Sequence, residues 1–228
     1  MEKVVIELKD VWKTYKMGEA EVSAMRGISI KIHEGEFVAI MGPSGSGKST
    51  TMNMVGCLDT PTKGHIFLDS QDVSNMSEST LARIRGKKIG FIFQQFNLIS
   101  AFNAAENVML PMMFQNMPKE EQIERSDALL EMVGMIKRKN HKPSELSGGE
   151  QQRIAIARSL ANDPQMILAD EPTGNLDSKN GSEVMNLIKK LNEVDGKTIV
   201  MVTHDKALAE KYAKRTIYIK DGQIVNSI

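Results

Sequence analysis

Residues 42–50 read GPSGSGKST and follow directly on the apolar run FVAIM, with a helical pattern after them. The spacing is G-x-x-x-x-G-K-[ST], and a strand before and a helix after are the context in which that spacing binds phosphate. Gly42, Gly45 and Gly47 let the chain turn back without Cβ clashes, so successive amides, those of Ser44 and Ser46 among them, point inward at phosphate oxygens. Lys48 adds a point charge for the β- and γ-phosphates, Ser49 offers a hydroxyl to Mg²⁺, and Thr50 continues a helix whose positive end faces the same anion. A second cluster, MILADE at 166–171, ends an apolar run in two adjacent carboxylates. Alternation along a strand sends Asp170 and Glu171 to different sides. Asp170 is then placed for the Mg²⁺ shell, and Glu171 for orienting or deprotonating a water aimed at a γ-phosphorus. A third, SELSGGEQQR at 144–153, sets Ser147 and Glu150 at the S-x-x-E spacing of a capping box. A helix capped in this way and preceded by Gly148 and Gly149 also presents N–H groups to an anion, so capping and phosphate contact are compatible readings.

These groups need a scaffold, and the hydrophobic pattern supplies one. Short runs rich in Val, Ile and Phe at 4–8, 28–32, 37–41, 66–69, 89–93, 166–169, 198–202 and 216–219 read as strands. Helical patterns lie at 48–55, 79–85, 119–133, 150–161, 181–193 and 205–212. Strands alternating with helices predict an α/β fold: a P-loop NTPase core, its parallel sheet flanked by helices. Glu34-Gly35 and Thr62-Lys63-Gly64 read as hairpin turns, which predicts an antiparallel β layer attached to that core. From about 97 to 160 no strand pattern appears, and Pro111, Pro118 and Pro143 separate helices. The expectation is one nucleotide-binding domain over 1–228, with core and β layer at about 1–95 and 162–228 and an inserted helical subdomain at about 96–161. Met109, Met112, Met113 and Met117 crowd that lobe, either filling gaps in a small core or lining an adaptable groove. The strip 96–102 is the stronger candidate for a partner contact.

Composition excludes other classes. With 29 Lys+Arg against 29 Asp+Glu the net charge is zero, which argues against nucleic acid as a partner. The basic residues Lys137, Arg138, Lys139 and Lys142 face nearby acids and read as a solvated face. The single Cys57 precludes an internal disulfide and suits a reducing compartment. Apolar runs are about five residues long, against roughly 18 to 20 for a bilayer crossing, and the charged amino end shows no signal-peptide core. The expected place is the cytoplasm, at the membrane's inner face only through a partner.

LSGGE, at 146–150, resembles the signature of ATP-binding-cassette ATPases and stands between the P-loop and the MILADE strand, in that family's order. Gln94 in IGFIFQQF matches the family's glutamine loop, GNLD ending at Asp177 its D-loop, His204 in TIVMVTH its switch histidine, and Tyr15 in WKTYKMG the aromatic that stacks on adenine. FQQFNLIS, NHKPSELSGG and ADEPTGNLDS further resemble the branch of macrolide exporters, lipoprotein-release complexes and a cell-division regulator. The resemblance implies ATP and Mg²⁺, with Ser49, Gln94 and Asp170 around the metal and Lys48, Gln94, Glu171 and His204 at the reacting phosphate. It also implies an ATP-dependent head-to-tail dimer with a second copy, in which Ser147, Gly148 and Gly149 of one chain meet the other's P-loop. Integral-membrane permease subunits are the further partners. A regulatory module of a division complex and an importer ATPase are the alternatives.

Overall fold

Three short runs, apolar but for Asp170 and Thr198, form strands buried on both faces along nearly all their length: β3 (Phe37–Met41), β7 (Met166–Asp170) and β8 (Thr198–Val202). Strands read this way when helices or a second sheet cover both faces. The computed structural model describes residues 3–18 and 20–227. Together with β6 (Ile89–Ile92), β9 (Arg215–Lys220) and β10 (Gln223–Ser227), these three strands build a six-stranded sheet in the order β10-β9-β3-β8-β7-β6. All of its pairings are parallel except β9 with β10. A four-stranded antiparallel sheet holds β1 (Val4–Met17), β2 (Ala20–His33), β4 (Lys63–Leu68) and β5 (Gln71–Asp72) in the order β2-β1-β4-β5.

Strand alternation divides the apolar residues between two cores. Phe37, Ala39, Ile167, Ala169, Ile199 and Met201 face one side, where α3 (Ala104–Met113), α4 (Lys119–Met132), α5 (Gly148–Ser159) and α6 (Ser178–Glu193) cover them. Val38, Ile40, Met166, Leu168, Val200 and Val202 face the other, against α1 (Lys48–Val55) and the inner residues of the antiparallel sheet such as Ile6, Leu8, Ile30 and Ile66. The remaining helices are α2 (Glu78–Lys88) and α7 (Lys206–Tyr212).

The antiparallel layer is as expected, but the turns assigned to it are not. Glu34-Gly35 carries the chain from β2 into β3, which belong to different sheets, and 62–64 runs into the start of β4. A turn sequence specifies a local reversal, not the strand that will pair. The β1–β2 hairpin instead reverses around Gly18 (φ 65°), with Met17 opposite Ala20. Both strands also extend far beyond the apolar runs at 4–8 and 28–32, because bulges between Leu8 and Thr14 let the polar half continue the ladder. Pro111 does not end a helix; it sits inside α3, and Asn162 Nδ2 takes up its carbonyl at 3.0 Å.

Candidate functional site

The register of the parallel sheet positions the site. Ile40 is level with Val202, Val202 with Asp170, and Ala169 with Ile92. Gly42, His204, Glu171 and Gln94 therefore leave four neighbouring strands at one edge, each within two residues of a level rung.

The P-loop is held from behind. Gly222 N donates to Ser46 O at 2.9 Å and Arg26 N to Gly222 O at 2.8 Å, tying the loop to the β9–β10 turn and to β2. Gly47 has φ 102° and packs so closely that a Cβ would stand 2.5 Å from Ala24 O, so no other residue fits there. The loop then enters α1 with Gly47 as N-cap, no side-chain cap and no acid in the first turn. The amides of its first turn and the positive end of the helix are thus left for an anion. Helix α5 does the reverse with the same kind of terminus. Ser147 caps it, accepting from Glu150 N at 3.3 Å, while Glu150 Oε2 accepts from Ser147 N and Oγ, both at 2.9 Å. Those bonds, led by the one from the Ser147 backbone, hold the Glu150 carboxyl below its ordinary range.

Lys48 Nζ donates to Gly42 O and Pro43 O, both at 2.8 Å. An ammonium has three N–H donors, so one could still reach a phosphate oxygen. Ser49 is exposed, and Thr50 lies against Tyr15. The Tyr15 hydroxyl donates to Asp59 Oδ2 at 3.1 Å, and Lys13 Nζ lies 5.1 Å from the ring centroid. Burial raises the Tyr15 phenol above its usual value.

The two carboxylates lie in different environments, and strand alternation is not the reason, because β7 ends at Asp170. Burial, and then the charge of Glu171, raise Asp170 above the usual carboxylate range, against the pull of Lys48. Glu171 turns away with φ 47°, a left-handed conformation that a non-glycine residue adopts under constraint. Its Oε1 lies 2.6 Å from His204 Nδ1. A carboxylate only accepts, so in this pair Nδ1 carries the proton.

The remaining expected residues gather beside them. The side chain of Gln94 lies against Gly174, where a Cβ would stand 2.6 Å from Nε2, and Gln94 O accepts from Asn175 Nδ2 at 2.9 Å. Asp177 is the N-cap of α6 and accepts from Asn180 N at 2.9 Å, which with the Asn180 side chain lowers its pKa. Gly149 lies against Asn180, and Gly148 against Leu176 and Phe96. Among the described residues no hydrogen bond or ion pair joins 147–150 to the P-loop of the same chain.

Reading motifs alone misses Gln152, Asn175, Arg158 and the β9–β10 turn, which touch the backbone of these loops and not a ligand. It also misses Phe114, 78% exposed beside a groove of about 530 Å³ lined by Ala82, Gly86, Leu110 and Pro111. Of the four methionines, Met112 is buried, Met109 and Met117 are partly buried and Met113 is exposed, so they do not form one groove. The basic run is partly paired, Lys139 with Asp127 at 2.8 Å and Arg138 with Glu150 at 3.4 Å.

Known proteins share this arrangement. A family model described as ABC transporter matches residues 25–174. An uncharacterized ABC transporter ATP-binding protein of Thermotoga maritima is 52% identical over 97% of this chain and 94% of its own. The macrolide export ATP-binding/permease protein MacB of Syntrophobacter fumaroxidans is 50% identical over 96% of this chain, which spans 31% of that protein. Among solved structures, a dimeric post-hydrolysis state of the ATP-binding cassette MJ0796 bound to ADP and Pi superposes with a TM-score of 0.89 at 52% identity, over 98% of this chain and 97% of that one. On the extent of these matches and the phosphate-binding architecture they share, the chain belongs to the ABC transporter family, as an ATP-binding subunit with ATPase activity.

Proposed function

We propose that this chain works as half of an ATP-dependent head-to-tail homodimer that drives a membrane permease of the export class. The observation that carries the reading is the level register of β3, β8, β7 and β6. It brings the strand ends that lead to Lys48, His204, Glu171 and Gln94 to one rim, while Gly148 and Gly149 lie against Phe96, Leu176 and Asn180 and, among the described residues, 147–150 make no bond to their own P-loop. A capped signature segment that makes no bond to its own P-loop among the described residues, and a P-loop whose helix has no side-chain cap, complete each other across a two-fold axis.

In this reading the amides of 44–49 and the third donor of Lys48 bind the β- and γ-phosphates, and Tyr15 offers a ring to the base. The metal position fits a hard divalent cation. Asp170 is a partly buried carboxylate beside Glu171, countered only by Lys48. Among the described residues no three acids, histidines or cysteines form a cage. The Asp170 carboxylate and the Ser49 hydroxyl offer oxygen donors that suit Mg²⁺, which takes one or two protein oxygens plus phosphates and water. Ser49, Asp170 and Gln94 would hold it, and it would supply charge neutralisation to the bridging oxygens. Glu171 holds the attacking water in line and takes its proton as the new oxygen–phosphorus bond forms and the bond to ADP breaks. His204, hydrogen-bonded to Glu171, orients that carboxylate and presents Nε2 toward the γ-phosphate.

The helical lobe at about 96–161 is the docking part. The groove between it and α2, beside Phe114, suits a short apolar helix of the permease. The export reading draws on the macrolide export relative, whose ATP-binding and permease parts share one chain. No described helix is long and apolar enough to cross a membrane, and the proposed place is the cytoplasmic face, held there by the permease.

Glu171→Gln tests the assignment. The amide keeps ATP binding but cannot accept the water's proton, so turnover falls by at least about a hundredfold. Parental turnover in that variant would remove Glu171 from the role of base.

A further inference from the structure

The backbone of the glutamine loop is held by side chains from elsewhere, at one carbonyl after another. Gln152 Nε2, on α5, donates to Phe93 O at 3.4 Å, and Asn175 Nδ2 donates to Gln94 O at 2.9 Å. Arg158, also on α5, donates to Phe96 O at 2.8 Å and to Asn97 O at 2.5 Å. Phe96 and Asn97 have φ 54° and 52°. Consecutive left-handed non-glycine residues persist only where their surroundings impose them, and the Arg158 guanidinium is that constraint.

Gln152 makes a second and shorter bond, 2.6 Å to Pro172 O, the carbonyl next to Glu171. Both partners are carbonyls, so the amide nitrogen must stand between them. Gln152 is 0% exposed, and its Oε1 is buried without a partner among the described residues. A side chain of that size without polar atoms would avoid this cost, so packing alone does not account for a glutamine. Helix α5 also lies in backbone contact with β6: a Cβ on Gly90 would stand 2.3 Å from Ser159 O. Helix and strand therefore shift together, if at all.

We propose that Gln152 is a positioning residue that ties the signature segment to the Gln94 and Glu171 of its own chain, and so links the two ATP sites of the dimer. The proposal rests on the head-to-tail reading. There Ser147, Gly148 and Gly149 serve one site while Gln94 and Glu171 of the same chain serve the other. Ser147 caps α5 and Gln152 sits within the helix's second turn, so the pull of one ATP on the cap reaches the carbonyls of Phe93 and Pro172 through a single rigid helix. Glu171 and Gln94 then settle into place at the second site as the first one closes.

The test is Gln152→Met in the full chain, which removes the donor and keeps size and an apolar surface, with Gln152→Glu as a second variant that sets an acceptor against two carbonyls. ATPase rate against ATP concentration, thermal melting and ATP-dependent mass by light scattering are measured together. The parental protein is expected to show a Hill coefficient of about 1.5–2. Gln152→Met is expected to melt within a few degrees of it, to bind ATP as a monomer with unchanged affinity, to lose about tenfold to a hundredfold in kcat and to fall to a Hill coefficient of about 1. A folded Gln152→Met with parental kcat and Hill coefficient overturns the proposal. So does a variant that melts early yet keeps its cooperativity, since that marks a purely structural residue, and so does a parental Hill coefficient of 1 while an ATP dimer is present. Failure of Glu171→Gln to dimerise with ATP at all overturns the head-to-tail reading itself, which separates the two.

Discussion

Asp170 and Glu171 are neighbours in sequence and opposites in environment. Asp170 ends a buried strand and is pushed up by burial and by Glu171; Glu171 turns out through a left-handed backbone and meets His204 at 2.6 Å. An acid raised in the folded state binds protons more tightly folded than unfolded. Its contribution to stability is present below the unfolded value, 3.8, and is lost as pH rises through the folded value. At neutral pH Asp170 therefore destabilises the protein when no cation is bound. Asp170→Asn is expected to raise the melting temperature without nucleotide at pH 7, by an amount that shrinks as pH falls toward 4, and to lower Mg²⁺-dependent turnover at least about a hundredfold. Scanning fluorimetry across pH reads the first effect; an unchanged or lower melting temperature at pH 7 would contradict it. The chemical types of these residues were legible in the sequence. The raised pKa of Asp170 was not, because burial and the nearness of Glu171 and Lys48 are properties of the assembled sheet.

At the scale of elements, two helix N-termini show how one motif serves two ends. α1 begins at a glycine with no side-chain cap, and in the proposed reading meets phosphate; α5 begins at Ser147 with a full capping box. The S-x-x-E spacing announced the box, and the box is there. The segment before α3 was less legible. Buried Asn107 accepts from Ile99 N at 2.7 Å and donates to Ile99 O, Phe102 O and Asn103 O at 3.2, 3.3 and 2.9 Å, which shapes the strip at 96–102. Nothing in the local sequence marks Asn107 as different from a surface asparagine, since its partners belong to a loop without periodicity. Asn107→Leu leaves these backbone groups unmatched and is expected to cost about 2–4 kcal/mol in urea unfolding. Hydrogen exchange should show residues 97–103 opening first, and uniform loss across the chain would speak against this local role. The turns at 34–35 and 62–64 misled for a related reason: their sequences favour reversal, and the partner strand was chosen by the apolar faces it could bury.

For the whole molecule, the proposed dimer makes the signature segment useful only to another copy. Ser147→Arg puts a bulky charge at that contact, and an unpaired charge against a specific partner is an effective barrier to association. In the Glu171→Gln background, light scattering is expected to find no ATP dimer for Ser147→Arg, while ATP binding by the monomer stays within about twofold of the parent. A normal ATP dimer would dismiss the composite site. The sequence by itself determined the family, the α/β class and the phosphate chemistry, because glycine spacing, a lysine and paired carboxylates at a strand end are local requirements of binding a triphosphate. Only the tertiary structure decided which loops stand level with one another, that Gln152 and Arg158 hold the glutamine loop by its carbonyls, and that the β9–β10 turn supports the P-loop. Each of those contacts ends on a backbone carbonyl far along the chain from its donor, and a backbone carbonyl looks the same at every position of a sequence until the fold brings a donor to it.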